Sequence, residues 1–136
     1  MKTVGQLLDE KGHEVVSVRP TDAVMAALSL MSQRNVGALL VMDGEKLVGI
    51  FSERDYARKM VLYGGSGTAK VQDLMTANVI HATPDKTLEE CMATMTAGHF
   101  RHMPVLDGGK VTGVISSTDL IRETISEQDL AAEQFR

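Results

Sequence analysis

Gly49-Ile-Phe-Ser-Glu-Arg-Asp55 (GIFSERD) ends an apolar run, and its pattern returns 64 residues later as Gly113-Val-Ile-Ser-Ser-Thr-Asp119 (GVISSTD). A glycine, two apolar residues, a serine and an aspartate three positions on describe a strand that turns into a helix. Serine is then the N-cap, and the acid three positions later closes a capping box. Outward from this stretch the register holds without a gap between Val15 and Arg58. Pro20 falls on Pro84, Met31 on Met95, Val41 on Val105, Asp43-Gly44 on Asp107-Gly108 and Lys46 on Lys110. The lead-ins Val4-Gly-Gln-Leu-Leu8 and Val71-Gln-Asp-Leu-Met75 also match, after a three-residue shift. A unit written twice is a duplication, not the array of short repeats that builds a solenoid.

Each unit reads β-α-β-β-α. Val15-Val-Ser-Val18 and Val79-Ile-His-Ala82 are β-prone runs leading to a proline, before which the backbone is held extended. Val24, Ala27, Leu28 and Met31, and then Leu88, Cys91, Met92 and Met95, recur at three- and four-residue spacing, the period of an amphipathic helix. Ala38–Met42 and Leu47–Phe51 flank Asp43-Gly44, as Met103–Leu106 and Val111–Ile115 flank Asp107-Gly108, which predicts two hairpins. The closing helices start near Ser52 and Ser116 and carry Tyr56, Ala57, Met60 and Val61, or Leu120, Ile121 and Ile125. The predicted organisation is one repeat with its lead-in over 1–63, a glycine-rich linker over 64–70, and a second repeat with a C-terminal helix over 71–136. A half of this size buries too little surface alone. The expected fold is therefore α+β, two repeats related by a pseudo-two-fold axis with their sheets packed together.

The 136 residues carry 14 basic and 18 acidic side chains, a net charge of −4, which provides no broad cationic field for nucleic acid. No apolar run approaches a membrane span, and a single cysteine, Cys91, excludes an internal disulfide and points to a reduced, cytoplasmic setting. Cys91 lies on the apolar stripe of its helix and reads as a packed small hydrophobe. His99 and His102 are three apart, but no carboxylate or thiol joins them at a metal-binding spacing, and no nucleophile, base and orienting group can be assembled. Gly64-Gly-Ser-Gly-Thr-Ala69 is followed by Lys70-Val71, without the Lys-Ser or Lys-Thr of a phosphate-binding loop.

Two chemistries suit the Ser-x-x-Asp boxes. Capping alone accounts for both. A carboxylate at a helix start can also accept hydrogen bonds from the vicinal hydroxyls of a ribose, while nearby amides and the helix dipole favour a phosphate. Arg101 and His102 replace Gly37 and Ala38 of the first unit and break the pseudosymmetry. Arginine offers a planar fork for phosphate oxygens, and histidine adds a proton-sensitive donor.

The doubled β-α-β-β-α pattern, with GIFSERD, GVISSTD and Arg101-His-Met-Pro-Val-Leu-Asp-Gly-Gly109, resembles the cystathionine-β-synthase (CBS) domain family. Two such repeats make a CBS pair, or Bateman module. Gly49–Gly64 in particular is similar to stand-alone bacterial CBS-pair proteins. The resemblance implies a regulatory module that binds an adenine nucleotide, forms a homodimer through its helices and acts on a partner protein that the sequence does not name.

It also implies clefts that draw Ser-x-x-Asp from one repeat and the pre-proline strand and x-h-Pro segment from the other, h being apolar. In the leading cleft Asp55 and Thr83 hold the ribose, and Ile80 and Met103 contact the adenine faces. Backbone near Ala82 reads the base edge, and Ser52, Arg54, Arg101 and His102 face phosphate. A second, weaker cleft joins Ser116, Thr118 and Asp119 to Arg19, Gly37 and Ala38. There Arg19 stands where Thr or Ser is usual and the Arg-His pair is missing. AMP or NAD(H) is the expected ligand, with no catalytic residue, catalytic cofactor or metal. The alternatives are a structural interaction module without ligand and a small nucleotide-acting enzyme.

Overall fold

The computed structural model describes residues 2–63 and 68–134, with side chains up to Ile125 except Tyr63. Its elements run α1 (Val4–Lys11), β1 (Ser17–Val18), α2 (Val24–Arg34), β2 (Ala38–Asp43), β3 (Lys46–Ser52), α3 (Glu53–Lys59), α4 (Val71–Leu74), α5 (Leu88–Gly98), β4 (His102–Asp107), β5 (Lys110–Ser116) and α6 (Ser117–Gln134). Two compact units form, one from residues 14–80 and the other from residues 1–13 with 81–136. They are called the first-repeat and second-repeat units below.

The packing units thus differ from the linear halves, because each lead-in helix packs on the sheet of the repeat it does not precede. α1 buries Val4, Leu7 and Leu8 among Leu88, Met95, Val105 and Ile115. α4 buries Val71 and Leu74 among Val24, Met31, Val41 and Phe51. The anchoring bonds match as well: Val4 and Gly5 donate their amides to the carbonyls of Lys86 and Pro84, and Val71 and Gln72 donate theirs to Asp22 and Pro20. Of the expected linker, residues 64–67 lie outside the described residues. Its end is built into the first-repeat unit: Ala69 is buried and its carbonyl accepts the Val24 amide at 3.1 Å.

In the first-repeat unit β1 runs parallel to β2, and β2 and β3 form the expected hairpin. In the second-repeat unit β4 and β5 repeat the hairpin, down to the one-residue bulge after Val41 and Val105. The predicted strand at Val79–Ala82 is reduced to one parallel bridge, Ala82 to Val105. Proline explains the loss. In the first unit the Leu40 amide donates to Val16 at 3.1 Å; its counterpart is Pro104, which has no N–H to extend the ladder. Ile80 is left half exposed. The first closing helix is also shorter than predicted, since Met60 and Val61 lie in a 3-10 turn over Met60–Tyr63.

Candidate functional site

β3 delivers Ser52 to the start of α3 in extended conformation. Its hydroxyl accepts the Asp55 amide at 3.1 Å, while Asp55 Oδ2 accepts the Ser52 amide at 2.9 Å and hydroxyl at 3.0 Å. Asp55 Oδ1 accepts the Thr76 hydroxyl at 2.9 Å and lies 3.5 Å from Lys59 Nζ, which donates to the Met75 carbonyl at 3.1 Å. Thr76 reaches this position because it continues from α4 as an added edge residue. Its amide donates to the Ile50 carbonyl at 2.9 Å, and its carbonyl accepts the Ile50 amide at 3.0 Å.

The second box is built alike. Asp119 Oδ2 accepts the Ser116 amide at 2.9 Å, and the Asp119 amide donates to the Ser116 hydroxyl at 3.1 Å. Its further partner is a cation. Lys11 Nζ, at the end of α1, donates to Asp119 Oδ2 at 2.7 Å and to the Val114 carbonyl at 2.9 Å. Ile50 and Val114 are counterparts, so one ammonium does the work of the Thr76 amide and hydroxyl. Burial, the largest influence, raises the Asp119 pKa, but Lys11 and Ser116 together outweigh it and hold the carboxyl below its ordinary value.

The other candidate residues divide between the units. Ser52, Arg54, Asp55 and Ile80 belong to the first-repeat unit; Ala82, Thr83, Arg101, His102 and Met103 belong to the second. Ala82 and Met103 are buried and Arg101 is exposed. Thr83 donates its hydroxyl to Asp85 Oδ1 at 2.5 Å, which leaves its oxygen to act as an acceptor. Of the second set, Arg19, Gly37 and Ala38 lie in the first-repeat unit, and Ser116, Thr118 and Asp119 in the other. Arg19 is folded back on its own turn, its backbone amide and guanidinium both bound to Asp22.

Within each unit the strand start is tied to the helix start. Glu53 donates its amide to the Gly37 carbonyl at 3.1 Å, and Ser117 to Arg101 at 2.8 Å, while the strand register sets Ala38 opposite Ser52 and His102 opposite Ser116. α3 has seven residues, too short for its dipole to hold a phosphate unaided. Lys59, Thr76 and Lys11 escaped the reading of the sequence. Lys59 was within reach, four positions after Asp55; Thr76 and Lys11 act through the crossed lead-ins, which no local pattern announces. Among the described residues no group of three metal-ligating side chains occurs, and no helix is long and apolar enough to cross a membrane.

The CBS-domain family profile matches residues 5–62 and 71–126. The chain is 38% identical over 112 residues to the CBS domain-containing protein CBSX3, mitochondrial, of Arabidopsis thaliana, covering 78% of this chain and 54% of that protein. It is 29% identical over 120 residues to the CBS domain-containing protein YhcV of Bacillus subtilis, covering 88% and 86%. The chain therefore spans about half of the plant relative and most of the bacterial one. Among solved structures, a putative signal-transduction protein with CBS domains from Burkholderia ambifaria superposes with a TM-score of 0.89 at 44% identity, covering 93% and 96%. The CBS domain pair of MJ0100, solved with 5-methylthioadenosine and S-adenosyl-L-methionine, gives 0.80 at 25% identity, covering 90% and 99%. The two boxes, the two bulged hairpins and these likenesses agree: the chain belongs to the CBS-domain family and carries a pair of CBS repeats.

Proposed function

We propose that this CBS pair is a regulatory module that binds an adenine nucleotide, AMP or NAD(H), and alters its own conformation or its docking to a partner protein, without catalysing a reaction. The observation that carries this reading is the Asp55 carboxylate, fixed by Ser52 at the start of α3 and still 13% exposed, in the setting where a ribose diol finds paired acceptors. Arg101 and His102 of the second-repeat unit supply the cationic groups for phosphate. Thr83 adds its hydroxyl oxygen, the half-exposed Ile80 offers apolar contact to the base and Arg54 serves the phosphate side, while Ser52 holds Asp55 in place and Met103 stays buried in the core. The ligands named with MJ0100 both contain adenosine, which supports the choice of base and sugar. Asp119, with Ser116, Thr118, Gly37 and Ala38, is the weaker set, because Arg19 is occupied by Asp22 and the first unit lacks an Arg-His pair.

Regulation requires that the ligand prefer one conformation, since equal affinity moves no population. A homodimer is part of the proposal. α5 and α6 leave an apolar groove with Ile121 and Ile125 half exposed; a second copy covering it would remove a surface that monomers rarely show. The setting proposed is the cytoplasm, in keeping with Cys91, whose thiol burial pushes above its ordinary pKa.

Mass spectrometry of small molecules released from the purified protein, followed by thermal-shift titration with AMP, ADP, ATP, NADH and S-adenosylmethionine, tests the function. An adenine nucleotide that co-purifies or raises Tm in a saturable way is the expected result. No response to any of the five favours the structural module, in which both boxes serve as caps.

A further inference from the structure

An ionised carboxylate offers about four lone-pair directions to donors. Three of those on Asp55 are filled within its own unit: Oδ2 by the Ser52 amide at 2.9 Å and hydroxyl at 3.0 Å, and Oδ1 by the Thr76 hydroxyl at 2.9 Å. The fourth is faced by Lys59 at 3.5 Å, too far for a strong bond, with the ammonium directed to Met75. One incoming hydroxyl can use this fourth direction. Two cannot, unless a resident donor leaves.

The Ser52 donors are committed to the capping box, whose loss would free the amides of α3. Thr76 is committed only through its backbone, which pairs with Ile50 at both amide and carbonyl. Its side chain is exposed, and a rotation about χ1 removes the hydroxyl without disturbing that pairing. The second repeat has no such donor, since the corresponding bonds come from the Lys11 ammonium, and a charge-assisted bond is roughly twice as strong as a neutral one.

We propose that Thr76 is a specificity-determining residue at the Asp55 site: its hydroxyl holds the place of one ribose hydroxyl and must rotate away before a cis-diol can bind both free directions of the carboxylate. The inference rests on the nucleotide-binding reading above. It assigns Thr76 the role of competitor, not contact, so removing its hydroxyl strengthens the binding of a diol. A ligand with one sugar hydroxyl does not need Thr76 to move and gains nothing.

Isothermal titration of wild type, Thr76→Val and Thr76→Ser with AMP and with 2′-deoxy-AMP tests this, alongside denaturant unfolding of the three proteins. Thr76→Val is expected to bind AMP about three- to tenfold more tightly and 2′-deoxy-AMP unchanged, while unfolding at lower denaturant because it has lost a hydrogen bond. Thr76→Ser keeps the donor and is expected to match wild type throughout. A Thr76→Val protein that binds AMP more weakly or equally well, or that gains equally for both nucleotides, overturns the role of Thr76 and leaves the nucleotide-binding reading standing. Wild type and variants that bind neither nucleotide overturn both.

Discussion

A Cβ added to Gly113 would lie 2.7 Å from Leu8 Cδ2 and 2.8 Å from Cδ1, and one added to Gly49 would lie 2.6 Å from Met75 Sδ and 3.0 Å from the Thr76 carbonyl oxygen. The glycine that opens each GIFSERD-like stretch is thus required by the lead-in segment crossing the strand, α1 over Gly113 and the two residues that follow α4 over Gly49, a reason invisible in the stretch itself. Leu8 is fully buried and has no room to yield. Gly113→Ala is expected to cost about 1–3 kcal/mol of stability by overpacking, measured by chemical denaturation. Leu8→Ala alone creates a cavity costing about 2–5 kcal/mol. In the double variant the added methyl occupies part of that space, so the two effects sum to less than their separate values. Full additivity would show that the two residues do not meet.

α1 is held at its N-terminus by a Thr3 capping box and past its C-terminus by His13. His13 Nδ1 lies 2.8 Å from the Thr112 carbonyl oxygen on β5, and Nε2 lies 3.0 Å from Asp9 Oδ1 on α1. Both neighbours are acceptors, so only the doubly protonated ring satisfies both. Asp9 first, and the Thr112 carbonyl after it, raise the His13 pKa. A pKa raised on folding stabilises the fold below the unfolded value, and that contribution disappears as pH rises through the folded value. The Tm of wild type relative to His13→Gln is expected to be greater at pH 5.5 than at pH 8.5; a difference independent of pH would contradict the clasp. Helices and hairpins were legible in the sequence because their period and turn residues are local. The failed strand at Val79–Ala82 was not, since its ladder depends on an N–H that Pro104 lacks across the sheet.

At the scale of the molecule, the crossing of α1 and α4 makes the start of the chain part of the second repeat's core. Duplication was readable from residue identity, but which lead-in serves which sheet was not, because both copies carry the same apolar spacing and either pairing would satisfy it. Leu8→Ala is therefore expected to speed amide hydrogen exchange in β4 and β5 more than in β2 and β3; the reverse order would refute the crossed packing.

The likeness of the two boxes makes their inequality the central question about function. Asp55 is set with the neutral Thr76 hydroxyl at 2.9 Å and with Lys59 no nearer than 3.5 Å. Asp119 is bound to Lys11, and the Arg19 of its set is committed to Asp22. Isothermal titration with AMP of Asp55→Ala and Asp119→Ala, each checked for folding, decides between them. The account predicts that Asp55→Ala abolishes or greatly weakens binding while Asp119→Ala leaves it within a fewfold of wild type. Equal losses, or a loss confined to Asp119→Ala, would contradict it.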